Sequence, residues 1–424
     1  MSEVAAAVEF DHVPCPFCGL VCDDLQVVRT GAALKVAKNG CARAVSGFER
    51  PLPAASPQID GRDASLQDAI AAAASLIRKS SAPLYGGLAT DVAGMRAVMA
   101  LADHSRGTLD HALSEAVGQN LKVLQSAGWI TSTLTETRNR ADVVVIVGSD
   151  VHALHPRFFE RIVCADTTMF EETDKPRTVV FIGEGLDQSA ASGPRVGEVV
   201  TLPCPLHRVD EVMGALLARM RGNKLSADNV AGVPLSAIEE LGKRLNEADY
   251  SVLVWTPVGL QTRDSDLTVH AICDIVRLLN KTTRSAGLSL GGDEGATTAT
   301  SVCGWQSGFP TRVSYASGAP DYDPLAHAIP RKLAGNESDL LVWVASYSPD
   351  LTPPDTSVPA ILLAPPGMRP PRTPAVFIPV GTPGIDHAGQ LIRCDSVVSL
   401  HLHDLGRSQT PSAASMLSAI EAAL

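Results

Sequence analysis

Hydrophobic residues along most of this chain fall into two patterns, short continuous runs and stripes with helical spacing. Continuous apolar runs predict buried strands at 83–87, 142–150, 178–183, 250–255, 340–344 and 360–364. Apolar residues at three- and four-residue spacing predict helices near 66–77, 91–104, 208–220, 235–247 and 266–280. Strands that alternate with helices are typical of parallel sheets covered by helices, so the pattern predicts an α/β fold with doubly wound sheets.

The first 60 residues do not follow this alternation. Two short apolar stretches, 25–28 and 34–36, resemble a hairpin, and three prolines between positions 51 and 57 mark a linker. The chain is therefore expected to begin with a small irregular unit. A second proline-rich stretch, at 365–383, is expected to run over a surface.

Composition and charge narrow the function classes. The 424 residues, 45% of them apolar, are enough for two or three domains with sizeable cores. The formal net charge of −11 argues against a nucleic acid or an anionic membrane surface as the main partner. No apolar run is long enough for a transmembrane helix, and the first residues lack the features of a signal peptide. We therefore expect a cytoplasmic protein with reduced thiols.

Four of the nine cysteines lie within the first 41 residues. Cys15, Cys18 and Cys22 have the spacing of a metal-binding loop, and Cys41 follows after 18 intervening residues. Three thiolates on a tight loop and a fourth from a later segment are sufficient to hold one [4Fe–4S] cluster or one tetrahedral zinc ion. The alternatives are four unligated thiols or two disulfides. The other five cysteines occur singly along the sequence, and we expect their side chains to be buried and to serve only packing.

Other candidate motifs are weak. No G-x-G-x-x-G follows a predicted strand and no P-loop motif is present, so neither type of nucleotide site is supported. His152 and His155 follow the central predicted strand at its carboxyl end, where α/β folds place ligands, yet surface histidines commonly occur in such loops. Asp264, Asp266 and His270 form a second candidate polar cluster.

Several stretches, taken together, resemble one family. The cysteine string at 15–24, with Cys41, is similar to the start of the molybdopterin-type B subunit of formylmethanofuran dehydrogenase. Further stretches similar to that family are 139–142 with the valine run that follows, 155–157, 305–310, 379–381 and 393–395. Because these stretches occur in the family's order over nearly the whole chain, the chain is identified as a member of this family.

The resemblance implies the fold of molybdopterin oxidoreductases. That fold has a small N-terminal Cys-rich domain with a [4Fe–4S] cluster and two Rossmann-like doubly wound domains that hold a bis-pterin cofactor between them. On this basis we expect a four-Cys domain at 1–60, a discontinuous α/β domain formed by 61–135 and 290–424, and a Rossmann-like α/β domain at 136–289.

The chain departs from this family at the metal ligand. Active members carry a cysteine or selenocysteine, followed by His-Gly-Pro, that ligates tungsten or molybdenum. Counting back without gaps from Asn139 places this ligand at Ala116, which is followed by Val117. Alanine has no lone pair to offer a metal and valine cannot move a proton, so formate oxidation and CO2 reduction are expected to be lost. The Mo/W-bis-pterin cofactor is accordingly predicted to be absent.

An inactive member of this kind fits one variant of the family, the formyltransferase/hydrolase complex of aerobic methylotrophic bacteria. The resemblance then implies a non-catalytic scaffold, bound to A, C and D subunits, in a complex that converts formyl-tetrahydromethanopterin to formate by way of a methanofuran-like carrier. The four-Cys site would hold an iron–sulfur cluster, hold zinc, or stay empty. Arg284, similar in position to the family's active-site arginine, is either a vestige of that site or a surface or interdomain arginine. The alternatives are an active dehydrogenase chain and, more remotely, a free-standing metal-binding protein.

Overall fold

The chain divides into two compact units. The computed structural model describes residues 6–170, 176–260, 262 and 264–424. Unit 1 comprises residues 1–114 and 292–424, and unit 2 comprises residues 115–291. Residues 1–60 lie within unit 1 and residues 115–135 within unit 2, while the three expected domains stay a prediction.

The described residues form helices and strands in a mixed α/β fold. The strands are β1 (Ala7–Val13), β2 (Leu25–Thr30), β3 (Ala33–Lys38), β4 (Gln58–Ile59), β5 (Arg62–Asp63), β6 (Pro83–Ala89), β7 (Thr108–Leu109), β8 (Val143–Val147), β9 (Arg177–Ile182), β10 (Val196–Leu202), β11 (Asn229–Val230), β12 (Val233–Pro234), β13 (Tyr250–Trp255), β14 (Arg284–Ser289), β15 (Val313–Ser314), β16 (Asp321–Tyr322), β17 (Leu340–Ala345), β18 (Ala360–Ala364), β19 (Val376–Pro379), β20 (Gly389–Ile392) and β21 (Ser399–Leu402). The α-helices are α1 (Ala42–Phe48), α2 (Leu66–Lys79), α3 (Val92–His104), α4 (Ser114–Ala127), α5 (Leu134–Arg140), α6 (Val151–Leu154), α7 (Val209–Met220), α8 (Leu235–Glu247), α9 (Ser265–Leu279), α10 (Ala296–Ser307), α11 (Ile329–Ala334) and α12 (Ala413–Ala422). A π-helical turn (Phe159–Val163) and two 3-10 turns (Leu206–Arg208 and Asp293–Gly295) complete the helical segments.

Unit 1 is built on a nine-stranded mixed sheet with the order β16-β15-β7-β6-β17-β18-β19-β4-β5. Strands β6, β17, β18 and β19 are parallel, whereas β15 and β4 run antiparallel to β7 and β19. Every residue of β17 is buried, as expected for a strand covered on both faces. Buried residues of α2, α3, α10 and α12 form one core with this sheet.

The N-terminal part of unit 1 has a small sheet and its own apolar packing. Strands β1, β2 and β3 pair antiparallel, and the predicted hairpin is confirmed in β2 and β3. The ring of Phe17 meets that of Phe48 edge-on, with 5.2 Å between the centroids. A Cβ at Gly47 would lie 2.3 Å from the Phe17 ring, so the close approach of α1 to this ring requires glycine.

Unit 2 contains a parallel five-stranded sheet with the order β10-β9-β8-β13-β14. Successive strands run outward from β8 to β10, and the chain then begins again at β13 on the other side of β8. The strand order therefore reverses between β8 and β13, and ligands of open α/β sheets bind at such a point. Buried residues of α7, α8 and α9 contribute to the core of this unit.

A buried arginine joins several segments of unit 2. Arg177, at the start of β9, donates from Nε to the carbonyl oxygen of Ala141 (2.8 Å) and from Nη1 to that of Ile162 (2.8 Å). It also donates to the carbonyl oxygens of Arg138 and Val163. The side chain thus satisfies the last carbonyl groups of two helical segments, where a cation is favourable.

The expectation for the proline-rich stretch at 365–383 is partly wrong. Residues Val376–Pro379 form β19, which pairs with β18 on one side and β4 on the other. A largely buried strand therefore lies within this stretch. Among the described residues, no helix is long and apolar enough to cross a membrane.

Candidate functional site

The cysteine loop lies in unit 1 between β1 and β2. Cys15, Cys18 and Cys22 are buried, and Cys41, at the N-cap position of α1, is partly exposed. Backbone hydrogen bonds close the loop, since Cys15 N donates to Cys22 O (2.8 Å) and Val21 N donates to Cys18 O (3.1 Å). The loop thus holds three of the four predicted ligands in one short turn.

Burial raises the pKa of the loop thiols. The pKa of Cys15 lies well above its ordinary value because burial disfavours the thiolate, and Cys18, Cys22 and Cys41 add electrostatic repulsion. Burial likewise raises the pKa of Cys18 to about 12, with Cys22 contributing. A bound metal cation would act in the opposite direction, because coordination favours the thiolate.

The donor set suits zinc or an iron–sulfur cluster, since both are held by four cysteines in other proteins. Within the part of the chain that the structure describes, however, no three His, Cys, Asp or Glu side chains are arranged to hold a metal ion. A metal at Cys15, Cys18, Cys22 and Cys41 stays a prediction.

An acidic segment of unit 1 packs against the cysteine loop. Gly19 N donates to Asp293 Oδ1 (3.2 Å), and Arg43 Nη1 donates to Asp293 Oδ2 (3.0 Å). Cys394 N donates to Gly19 O (2.8 Å), so this cysteine, which the sequence left as an isolated residue, lies beside the loop. Sequence reasoning did not predict this contact between the acidic segment and the cysteine loop. The local sequence feature that marks the acidic segment is the pair of glycines at 291–292.

Glu294 has both an unusual backbone and a buried carboxyl group. Its φ is 50°, and its Oε2 atom is buried without a hydrogen-bond partner among the described residues. Burial raises its pKa to about 7, Asp293 adds to this, and Arg43 and Arg50 oppose it. His111 Nε2 donates to the carbonyl oxygen of Glu294 (3.0 Å), and burial lowers the pKa of His111 to about 4. Groups perturbed in this way mark a candidate functional site, although buried structural groups show the same shifts.

Position 116, at which the sequence resemblance predicts the family's metal ligand, lies on α4 in unit 2. Ala116 is half-buried in the first turn of this helix. Asn120, one turn later on the same face, accepts from Trp255 Nε1 (3.0 Å) and donates to Ser289 Oγ (2.8 Å). Because these two residues end β13 and β14, this face of α4 lies at the carboxyl edge of the sheet, where α/β folds bind ligands. Neither Ala116 nor Val117 offers a metal ligand or a proton there.

Side chains of unit 2 itself fill the space beside the strand-order reversal. Thr256 N donates to Ser149 Oγ (3.1 Å), which joins the ends of β8 and β13. A Cβ at Gly148 would lie 3.2 Å from the Val209 side chain and 3.3 Å from that of Leu260. Apolar side chains therefore occupy the position next to the turn after β8.

The two candidate histidines have different partners. His155 is buried, and its Nε2 lies 3.5 Å from the carbonyl oxygen of Gly291. His152 Nε2 lies 3.9 Å from Asp187 Oδ2. Both follow β8 as predicted, but these contacts do not bring the two rings to one common ligand.

The second candidate polar cluster separates into distinct ion pairs. Asp264 occupies the N-cap position of α9 without a side-chain capping bond. Asp266 pairs with Lys122, whereas His270 Nδ1 lies 3.7 Å from Asp274 Oδ2. The structure therefore assigns the three residues to different interactions.

Arg284 is the first residue of β14 and is exposed. It thus lies at the amino end of a parallel strand, opposite the edge at which α/β sheets bind ligands. This placement favours the alternative of a surface arginine.

Comparison with known proteins gives two kinds of relative. The chain is 26% identical over 407 residues to the B subunit of the tungsten-containing formylmethanofuran dehydrogenase 2 of Methanocaldococcus jannaschii, a match that covers 91% of each chain. The protein of the same name from Methanococcus maripaludis is also 26% identical, over 80% of this chain and 79% of its own. The sequence matches no protein-family profile.

The second kind of relative is the B subunit of the formyltransferase/hydrolase complex of Methylorubrum extorquens, which is 26% identical over 78% of this chain and 87% of its own. The crystal structure of the formyltransferase/hydrolase complex of that organism, with methylofuran, contains a chain that superimposes with a TM-score of 0.73. The identity is 25%, over 87% of this chain and 98% of that chain. This chain is thus a homologue of the B subunits of both complexes and shares the mixed α/β fold of the matched chain in the formyltransferase/hydrolase complex.

Proposed function

We propose that this chain is the B subunit of a formyltransferase/hydrolase complex and that it is a non-catalytic scaffold there. The complex would transfer a formyl group from tetrahydromethanopterin to a methanofuran-like carrier and release formate, with the chemistry on other subunits. The partners would be the A, C and D subunits, in the cytoplasm. Support comes from the match to the corresponding chain of such a complex over most of both chains.

The residue at position 116 carries this proposal. The tungsten-containing relatives and the formyltransferase/hydrolase relative are equally identical to this chain, so identity does not choose between the two functions. A metal–bis-pterin enzyme of this family needs a thiolate or selenolate from the protein, and Ala116 provides neither. A small error in the alignment does not restore one, because the nearest cysteines in sequence are Cys41 and Cys164. Cys164 is buried and donates to the carbonyl oxygen of Ala190 (3.5 Å).

The proposal extends to the fold of the two units. We infer that each is a Rossmann-like half of a molybdopterin-oxidoreductase architecture, to which the four-Cys segment is added. The parallel strands of unit 2, with their order reversed beside β8, support this inference. The parallel strands at the centre of the unit 1 sheet support it as well.

The cysteine loop is assigned no redox role in this proposal, because an electron-transfer cluster serves no purpose without a redox centre. An iron–sulfur cluster or zinc would act there as a structural support for a small segment with few apolar groups. The packing of Phe17 on Phe48 and the hydrogen bonds of Gly19 supply an alternative support that needs no metal.

Elemental analysis of the native complex tests this function. The chain, purified from its natural host, should bring with it the other three subunits and contain neither tungsten nor molybdenum. Stoichiometric tungsten or molybdenum in this chain would overturn the proposal and favour an active dehydrogenase. Iron or zinc that is present in the native chain and lost in a Cys18→Ser variant would identify the occupant of the cysteine loop.

A further inference from the structure

The acidic segment of unit 1, residues 292–295, has a strained backbone. Gly292, Glu294 and Gly295 have positive φ values of 87°, 50° and 71°. Residues other than glycine are uncommon in this left-handed region, so Glu294 holds its conformation at a cost. The two glycines adopt other backbone conformations readily, which leaves Asp293 and Glu294 between them able to move.

The acidic segment holds the cysteine loop through Asp293. Its Oδ1 atom accepts from Gly19 N (3.2 Å) and its Oδ2 atom accepts from Arg43 Nη1 (3.0 Å). The two backbones approach closely, since a Cβ at Gly292 would lie 3.1 Å from the Cα of Gly19 and 3.6 Å from that of Cys394. Movement of the acidic segment would therefore break a bond that holds the middle of the cysteine loop.

The next residue, Glu294, favours the neutral form of its side chain. Its Oε2 atom is buried without a hydrogen-bond partner among the described residues. A carboxylate without donors is costly to bury, whereas a neutral carboxyl group costs far less. Burial accordingly raises the pKa of Glu294 to about 7. Ionisation would thus favour any movement that brings this carboxylate to water.

The surroundings of Glu294 link its charge to Asp293. The charged and titratable side chains that face its carboxyl group come from three parts of unit 1: Asp293 beside it, Arg43 and Arg50 in and just after α1, and Tyr347 and Asp350 after β17. His111, after β7, donates to the Glu294 carbonyl oxygen and is neutral above about pH 5, because burial lowers its pKa to about 4. Arg43 both bonds Asp293 and faces Glu294, so an ionised Glu294 would compete for this guanidinium group.

From this arrangement we propose that the acidic segment is a proton-dependent clamp on the cysteine loop. With Glu294 neutral, Asp293 stays bonded to Gly19 and the loop is closed. When Glu294 ionises, its carboxylate turns toward water or toward Arg43, and the segment moves Asp293 away from Gly19. The clamp thereby controls the access of solvent to the thiols of the loop, and it depends neither on the proposed function nor on what the loop holds.

Proton binding sets the direction in which pH shifts the loop. In the open state Glu294 reaches water and loses its proton near its ordinary pKa of 4.5, whereas the closed state keeps the proton until about pH 7. The closed state binds more protons between these values, so opening becomes easier as the pH rises to 7 and changes little above it. Between pH 5 and 8 the equilibrium constant for opening should rise by up to about 100-fold.

Hydrogen exchange of the full chain, corrected for intrinsic rates, tests this proposal. The chain is first dialysed against a chelator, so that a bound metal does not itself hold the loop closed. Protection of peptides that contain residues 15–22 should fall by up to about 100-fold between pH 5 and 8 in the wild type and stay constant in Glu294→Gln. Glu337→Gln, which removes an exposed carboxylate paired with Lys332, is the matched control and should follow the wild type.

A second variant tests the bond through which the clamp acts. Asp293→Ala removes the acceptor of Gly19 N, so the loop peptides should exchange rapidly at every pH. Peptides from β6 and β17 report the opening of unit 1 as a whole and should stay much better protected than the loop.

Four results would contradict the proposal. Constant protection of the loop between pH 5 and 8 in the wild type would show that its opening does not depend on protons. If Glu294→Gln keeps the wild-type pH dependence, a different group is responsible. If Asp293→Ala leaves the loop protected, Asp293 does not hold it. Loss of protection in β6 and β17 in step with the loop would mean that the proton acts on the whole of unit 1.

Discussion

Replacement of Glu294 by glutamine should change how the stability of unit 1 depends on pH. The Oε2 atom of Glu294 is buried without a hydrogen-bond partner among the described residues, and burial raises the pKa from an ordinary 4.5 to about 7. Asp293 and Asp350 also favour the protonated form, while Arg43 and Arg50 favour the ionised form. Glutamine keeps the size of the side chain and removes the ionisation.

The direction of this pH dependence follows from the number of protons that the folded and unfolded states bind. The unfolded chain loses the Glu294 proton near pH 4.5, whereas the folded chain keeps it until about pH 7. In this window the folded state binds more protons, so the contribution of Glu294 to stability is fully present below pH 4.5 and is lost as the pH rises to 7. A shift of this size corresponds to at most about 3 kcal/mol.

The contribution of His111 to the stability of unit 1 changes with pH in the opposite direction. Burial lowers its pKa from 6.5 to about 4, so the unfolded state binds the additional proton between these values. Stability from His111 is therefore present above pH 6.5 and lost as the pH falls to 4, again by roughly 3 kcal/mol. The two effects largely cancel in the wild type between pH 4.5 and 6.5. In Glu294→Gln that cancellation disappears.

Hydrogen exchange of peptides from β6 and β17, corrected for intrinsic rates, measures the opening free energy of unit 1 alone. This choice avoids the assumption that two units unfold in one transition. Between pH 4.5 and 7 the wild-type value minus the Glu294→Gln value should fall by up to about 3 kcal/mol. A difference that stays constant over this range would refute the reasoning, because Glu294 would then ionise alike in both states.

Two further substitutions test the packing, with urea unfolding as the measurement. Gly47→Ala should lower the free energy of unfolding by about 1–3 kcal/mol because the new Cβ meets the ring of Phe17. Gly214→Ala, its control, should raise the free energy of unfolding by roughly 0.5–1 kcal/mol. If Gly47→Ala raises it as much as Gly214→Ala does, the Phe17 ring moves aside freely. Arg177→Met should cost about 3 kcal/mol or more because it leaves several buried carbonyl oxygens without donors, and Arg208→Met, at an exposed ion pair, is the control. Wild-type stability of Arg177→Met would mean that water reaches these carbonyls.

Within the two large sheets, most of the strands that sequence reasoning found have both faces buried. Val143–Val147 is apolar and β-branched throughout, and its burial matches that pattern. Val196–Leu202 was missed because it is mostly exposed, with Glu198 in its middle, and Arg284–Ser289 was missed because small residues dominate it. Burial on both faces leaves a continuous apolar run, whereas an exposed edge strand leaves no such pattern.

The candidate site was only partly predictable for a different reason. The cysteine spacing is local, so it is visible in the sequence. The contact between Gly19 and Asp293 joins residues 274 positions apart, and no spacing rule connects them. The same holds for Cys394, which looks isolated along the chain and lies beside the loop in space.

Position 116, to which the sequence resemblance assigns the family's metal ligand, is separable from the contacts that hold α4 in place. Asn120 anchors α4 by its bonds to Trp255 and Ser289, and these bonds do not involve Ala116. Alanine has the highest helix propensity, so its presence in the first turn favours the helix. Under the proposed function, alanine in place of a thiolate at position 116 would remove a metal ligand without loss of packing.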